Sequence, residues 1–150
     1  MRTSTSFGLV LLAFVLLGAS GCCSFNREWK QAVAQPPPPD HLAGPWEGAW
    51  SSDANGHTDR LRCLVTKQAD GRYEARYYAW YRKGITFNFS YTVPLEADVV
   101  AGRATFSGEA DLGWLAGGVY TYRGWADGTN FFSTYYSKYD NGTFSLQRPK

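Results

Sequence analysis

Apolar and polar residues alternate along most of the chain after residue 44, and this alternation is its clearest pattern. In segment 85–95, Ile, Phe, Tyr, Val and Leu occupy every second position, and polar residues such as Asn88 lie between them. Leu61, Cys63 and Val65 alternate with Arg60 and Arg62 in the same way. Because successive side chains of a strand point to opposite faces, this period of two predicts strands with one buried face each.

Seven segments rich in Gly, Asp and Asn divide this region into eight predicted strands. The predicted turns are 53–56, 70–71, 83–84, 96–98, 117–118, 127–128 and 141–142. The predicted strands are 46–51, 59–67, 72–81, 85–95, 99–110, 119–126, 130–136 and 143–148. Short connections of this kind join neighbouring antiparallel strands, and eight strands are enough to close. We therefore predict an all-β fold in which residues 44–150 form a single eight-stranded antiparallel up-and-down barrel.

The first 21 residues have the plan of a signal peptide: a basic Arg2, an apolar run of 13 residues from Phe7 to Ala19, and small residues after it. The run is shorter than the roughly 20 residues of a spanning helix, which disfavours a permanent transmembrane anchor. Segment 19–22, Ala-Ser-Gly-Cys, resembles the lipobox of bacterial lipoproteins. The resemblance implies that Cys22 is acylated and anchors the protein to a membrane of the bacterial cell envelope. The alternative is an ordinary signal peptide that is cleaved nearby.

Residues 22–43 are expected to form a linker, because periodicity is weak there and four consecutive prolines occupy positions 36–39. Such a run adopts the extended polyproline conformation. The 18 residues from Ser24 to His41 could span about 60 Å if fully extended. We expect a spacer between membrane and barrel, and a short helix over 27–33 is possible but not required.

Composition and charge exclude several functions. The formal net charge is only +2 on 28 charged residues, which lacks the concentrated basic face of a nucleic-acid-binding protein. Ser52, His57 and Asp59 supply the residue types of a hydrolase triad, but closeness in sequence does not provide its geometry. The two His and three Cys residues have no metal-ligand spacing, and Cys63 alternates with Leu61 and Val65 as a core residue would. We therefore expect a protein that is not an enzyme and that needs neither a cofactor nor a metal.

Two short motifs resemble the calycins, the family of lipocalins, fatty-acid-binding proteins and avidins. Segment 44–46, Gly-Pro-Trp, is similar to their G-x-W motif on the first strand, and Arg148 follows the last predicted strand as their closing arginine does. The resemblance implies that Arg148 packs over Trp46 as a structural pair. No ligand-binding motif of a named calycin is present, so the resemblance does not imply a ligand.

Aromatic residues make up 17% of the chain, and many of them occupy the alternate strand positions that are predicted to face the barrel interior. A cavity lined by such residues would offer apolar walls and hydroxyl groups to a small apolar or aromatic ligand. The candidate ligand-binding residues are Tyr73, Tyr77, Phe87, Phe89, Tyr91, Tyr120, Tyr122 and Tyr135. Equally, a barrel of eight strands is narrow enough for these rings to fill it completely. A cavity larger than about 300 Å³ would favour ligand binding.

The outer wall and the loops give the second functional hypothesis. The outward-facing positions of predicted strands two and three form a mixed basic and aromatic surface. They are occupied by Arg60, Arg62, Arg76, Tyr78, Trp80 and Arg82. This surface could bind an envelope protein or an anionic glycan. The loop that contains Leu112, Trp114 and Leu115 could be a lid or a docking tip, or it could fill the end of the barrel.

Overall fold

Eight strands run in chain order around a closed barrel in the computed structural model, which describes residues 24–150. Every neighbouring pair is antiparallel, and β8 pairs with β1 to close the ring. The strands are β1 Gly44–Ser52, β2 Thr58–Lys67, β3 Tyr73–Lys83, β4 Ile85–Val100, β5 Arg103–Asp111, β6 Val119–Ala126, β7 Asn130–Tyr136 and β8 Asn141–Gln147. The predicted all-β, up-and-down barrel is confirmed. The predicted signal peptide and the acylation of Cys22 lie outside the described residues.

The predicted turn at 96–98 is wrong, because β4 continues to Val100. Leu95 pairs with Gly108 and Ala97 pairs with Phe106 across β4 and β5. The turn is formed instead by Ala101 and Gly102, whose φ angles are 50° and 80°. Two consecutive positive φ values are typical of a type I′ hairpin turn, whose twist matches that of the strands. Gly102 therefore marks the position of the turn, whereas the polar residues Glu96 and Asp98 lie within the strand.

The predicted turn at Asn141 and Gly142 is also wrong, because both residues belong to β8. Gly142 is needed where strands approach closely: a Cβ there would lie 1.9 Å from the Ser51 carbonyl oxygen. The turn is formed by residues 137–140, in which the Ser137 hydroxyl accepts a hydrogen bond from the Asp140 amide at 3.1 Å.

One end of the barrel is closed by packed side chains and by the chain segment that precedes β1. Leu42 is completely buried there, and its carbonyl oxygen accepts a hydrogen bond from the Trp46 indole at 2.8 Å. The Arg148 guanidinium lies 3.6 Å from the centroid of the Trp46 ring, as the calycin resemblance implies. Asp40 fixes the segment by accepting hydrogen bonds from the amides of Leu42 and Ala43. Residues 40–43 are therefore part of the barrel's closed end.

Residues 24–33 form a helix, α1, which packs against the outside of β2 and β3. Phe25 is completely buried and stacks on Tyr78 with ring centroids 5.0 Å apart. Trp29 lies one turn further along and receives the Arg62 guanidinium at 4.7 Å from its ring centroid. These ten residues are therefore not an extended spacer, and the short helix left open over 27–33 is present as part of α1. Within residues 24–150, no helix is long and apolar enough to cross a membrane.

Candidate ligand-binding cavity

The half of the barrel opposite the closed end is hollow. It contains a cavity of about 510 Å³ that opens between the β3–β4 hairpin, the β5–β6 loop and the turns before β2 and β8. Trp50, Tyr81, Phe87, Phe89, Tyr91, Tyr120, Tyr122, Tyr135 and Phe144 supply the aromatic part of its lining. One half of the barrel interior is thus filled by side chains, and the other half contains the cavity.

Stacked rings form the boundary between the filled half and the cavity. Tyr77 is completely buried, and its ring lies 5.2 Å from that of Tyr91 and 6.1 Å from that of Tyr122. Phe144 packs against Tyr77 with its centroid 5.2 Å away. Tyr91, Tyr122 and Phe144 line the cavity and form its floor, and Tyr77 packs beneath them.

The hydroxyl groups of the floor remain neutral near physiological pH. Tyr91 and Tyr122 share a hydrogen bond, and burial raises the pKa of both phenols above the usual value. Burial also raises the pKa of Tyr77, whose hydroxyl lies beside Cys63. Cys63 is itself a free, completely buried thiol, and its burial raises its pKa. It is a core residue rather than a reactive one.

Six of the eight predicted ligand-binding residues line the cavity: Phe87, Phe89, Tyr91, Tyr120, Tyr122 and Tyr135. Tyr73 and Tyr77 do not belong to this lining. Tyr73 lies at the closed end, where its hydroxyl donates to Asp40 at 3.2 Å, and Tyr77 lies beneath the floor. Parity correctly assigned both to the interior, but it carries no information about depth along the barrel.

Sequence reasoning missed several lining residues, and Asp140 is the charged one among them. Its carboxylate accepts hydrogen bonds from the Ser52 hydroxyl at 2.6 Å and from the Tyr135 hydroxyl at 3.2 Å. Burial, followed by the nearby Asp140 charge, raises the pKa of Tyr135. Asp140 was overlooked because the turn was placed at 141–142 rather than at 137–140, although a polar turn residue immediately before a strand was a usable signal.

The rim beside β2 and β3 is fixed by an aromatic and charged cluster. The His57 ring lies 4.5 Å from that of Tyr81 and 5.1 Å from that of Trp50. Asp59 is nearly buried beneath them and accepts from Arg82 Nε at 3.0 Å, which lowers the pKa of the carboxyl group. This cluster holds the wall of the mouth in place.

The triad residue types do not form a catalytic arrangement. The Ser52 hydroxyl donates to Asp140 rather than to His57, and Asp59 is held by Arg82. Among residues 24–150, no three His, Cys, Asp or Glu side chains lie together in a way that could hold a metal ion.

Several large apolar side chains surround the mouth and are exposed. Ile85 in the β3–β4 hairpin is 77% exposed, and Trp114 and Leu115 in the β5–β6 loop are 85% and 80% exposed. Leu112 and Leu115 also line the cavity, whereas Trp114 does not. The loop therefore borders the opening without covering it.

The outer wall that was considered as a binding surface is partly covered by α1. Tyr78 is buried beneath Phe25, and Arg76 pairs with Glu28 at 2.8 Å. Arg82 is bound to Asp59. Arg60 lies 4.9 Å from the Trp80 ring centroid and pairs with Glu47 at 3.3 Å. Much of this wall is thus engaged within the chain.

Comparison of the chain with protein-family models, with curated proteins and with solved structures found no match. The closed barrel of eight antiparallel strands is consistent with a calycin-like fold. Because no matching protein indicates a function, the function of this protein is inferred from the cavity and from the sequence.

Proposed function

We propose that this protein is a non-enzymatic lipoprotein of the bacterial cell envelope that binds a small apolar or aromatic molecule in the open half of its barrel. The cavity of about 510 Å³ carries this proposal. It falls within the range of roughly 300–1,000 Å³ that is usual for small-molecule sites. It also opens at one end only, since Trp46, Arg148 and residues 40–43 close the other.

The lining supports an aromatic or apolar occupant. Rings form most of the wall, and a few polar groups, among them Ser90 and Asp140, could fix the orientation of a ligand. Apolar walls with few convergent polar groups are the usual composition of such sites.

The ligand hypothesis is tested first by native mass spectrometry of the protein purified from its own host, in which a bound small molecule would add to the mass. The second test is titration with N-phenyl-1-naphthylamine, a neutral aromatic dye. Ala116 lines the mouth and is exposed, so Ala116→Trp should obstruct the opening without disturbing the core. Ala54→Trp is the matched control, because Ala54 is exposed in the turn before β2 and does not line the cavity. Equal dye binding by both variants would contradict the proposed site.

The signal-peptide plan and the lipobox resemblance support the location. Cys22→Ser should release the protein from membranes, whereas Cys23→Ser should leave it bound. Continued membrane retention of the Cys22→Ser protein would count against acylation at this position.

A second function is favoured by the exposure of Trp114 and Leu115: an interaction module whose loop binds an envelope protein or glycan. Trp114→Ser changes a residue that does not line the cavity, so it should abolish cross-linking to such a partner and leave dye binding in the cavity intact. Unchanged cross-linking would exclude this loop as the contact.

A further inference from the structure

The charges around the cavity are unbalanced. Its lining contains nine aromatic residues and one carboxylate, that of Asp140, and none of the described residues that line it is Lys or Arg. A site for an anion needs basic or amide donors that compensate its charge. This lining offers the opposite sign.

Asp140 has no counter-ion within the described part of the chain. The ion pairs of residues 24–150 involve the carboxylates of Glu28, Glu47, Asp59 and Asp70. The partners of the Asp140 carboxylate are the neutral hydroxyl groups of Ser52 and Tyr135. Its negative charge is therefore available to a ligand.

The basic residues Arg82, Lys83 and Lys138 lie near the mouth but do not line the cavity. Arg82 is bound by Asp59 with Nε 3.0 Å from Oδ1. Lys138 lies in the same turn as Asp140, but its ammonium group lies over the Tyr139 ring, 5.3 Å from the centroid.

The phenols add acceptor atoms without adding charge. Burial raises the pKa of Tyr91, Tyr122 and Tyr135, so these groups remain neutral at pH 7. Their oxygen atoms can accept hydrogen bonds from an ammonium group, and aromatic π-systems attract cations.

We propose that the cavity prefers an organic cation: a protonated amine or quaternary ammonium group carried on an apolar or aromatic body. The proposal rests on the proposed ligand-binding function and names the class of ligand. The apolar body would lie among the rings, and the cationic group would lie beside Asp140 at the mouth.

The test uses three probes with the same phenylpropyl body and different charge: 3-phenylpropylamine, 3-phenyl-1-propanol and 3-phenylpropanoate. Binding is measured by titration calorimetry at pH 7 with the full chain carrying Cys22→Ser. We expect the amine to bind about tenfold more tightly than the alcohol, as a single charge-assisted contact provides, and the carboxylate to bind most weakly. This ranking on an unaltered cavity decides the question even where a cavity variant fails to fold.

Asp140→Asn keeps the shape of the side chain and removes its charge, so it should bring the amine to the affinity of the alcohol. Asp53→Asn is the matched control, because Asp53 is an exposed residue near the same end of the barrel that does not line the cavity.

Two results would overturn the proposal. If the alcohol or the carboxylate binds as tightly as the amine, the cavity binds small molecules and only the charge preference is wrong. If none of the three probes binds, the proposed ligand-binding function is wrong as well.

Discussion

Arg148 offers the sharpest test of how the closed end is held together. Its guanidinium lies over Trp46, and it donates hydrogen bonds to the carbonyl oxygens of Gly128 and Pro45, both at 3.2 Å. These contacts link β1, the turn before β7 and the C-terminal segment. Arg148→Met removes the charge and both hydrogen bonds while keeping an apolar stem over the indole.

The expected loss follows from opposing contributions. Two hydrogen bonds from a charged donor contribute about 3–6 kcal/mol, and a desolvated cation–π contact contributes about 2 kcal/mol. Burial opposes them: it lowers the pKa of Arg148 from 12.5 to about 10. At about 1.4 kcal/mol per pH unit, this is a cost of about 3 kcal/mol for retaining the charge. We therefore expect Arg148→Met to lower the free energy of unfolding by about 3 kcal/mol.

Urea unfolding followed by tryptophan fluorescence measures this change, and the melting temperature should fall by about 10 °C. Arg148→Lys should recover only part of the loss, since an ammonium group lacks the planar fork that reaches two carbonyls. Arg123→Met is the control, because Arg123 is exposed on β6 and should change stability by less than about 0.5 kcal/mol. A loss below about 1 kcal/mol for Arg148→Met would refute the reasoning.

Three further predictions concern other parts of the molecule. The raised pKa values of Tyr91, Tyr122 and Tyr135 mean that the unfolded chain loses these protons first as the pH rises. Stability should therefore be unaffected by these groups below about pH 10 and should fall above it, by about 1.4 kcal/mol per pH unit for each phenol. Deprotonation of Arg148 has the opposite effect on stability in this range, because its pKa is lower in the folded chain. Urea midpoints between about pH 9 and 11 measure the net fall in stability. Gly124→Ala would place a Cβ 2.1 Å from the Phe132 carbonyl oxygen, and we expect a loss of about 1–3 kcal/mol in the same assay; an unchanged midpoint would contradict the close strand approach. Phe25→Ala should raise hydrogen exchange in residues 24–33 about a hundredfold while the barrel strands keep their protection, and equal protection of α1 would show that Phe25 does not hold it.

The barrel could be predicted from the sequence because its signals are local and repeated. Alternation identified the buried face of each strand, and Gly-containing turns identified most of the hairpins. The two misplaced turns show the limit of that information. Glycine has the same local signature whether it forms a turn, as Gly102 does, or admits a neighbouring strand, as Gly142 does.

The depth of the cavity and the position of α1 could not be predicted, because both depend on packing between distant segments. Tyr77 and Tyr122 have the same parity, yet one lies under the floor and the other forms it. Phe25 and Trp29 are spaced as on one face of a helix, which was a usable signal for α1. Nothing local indicated that Tyr78 would receive that face.

The docking of α1 has a consequence for how the barrel would stand at a bilayer. Cys22 precedes the first described helical residue by two positions, a separation that an extended chain can span with at most about 7 Å. An acyl anchor at Cys22 would therefore draw the flank formed by β2 and β3 towards the lipid surface, and the barrel axis could not rotate freely.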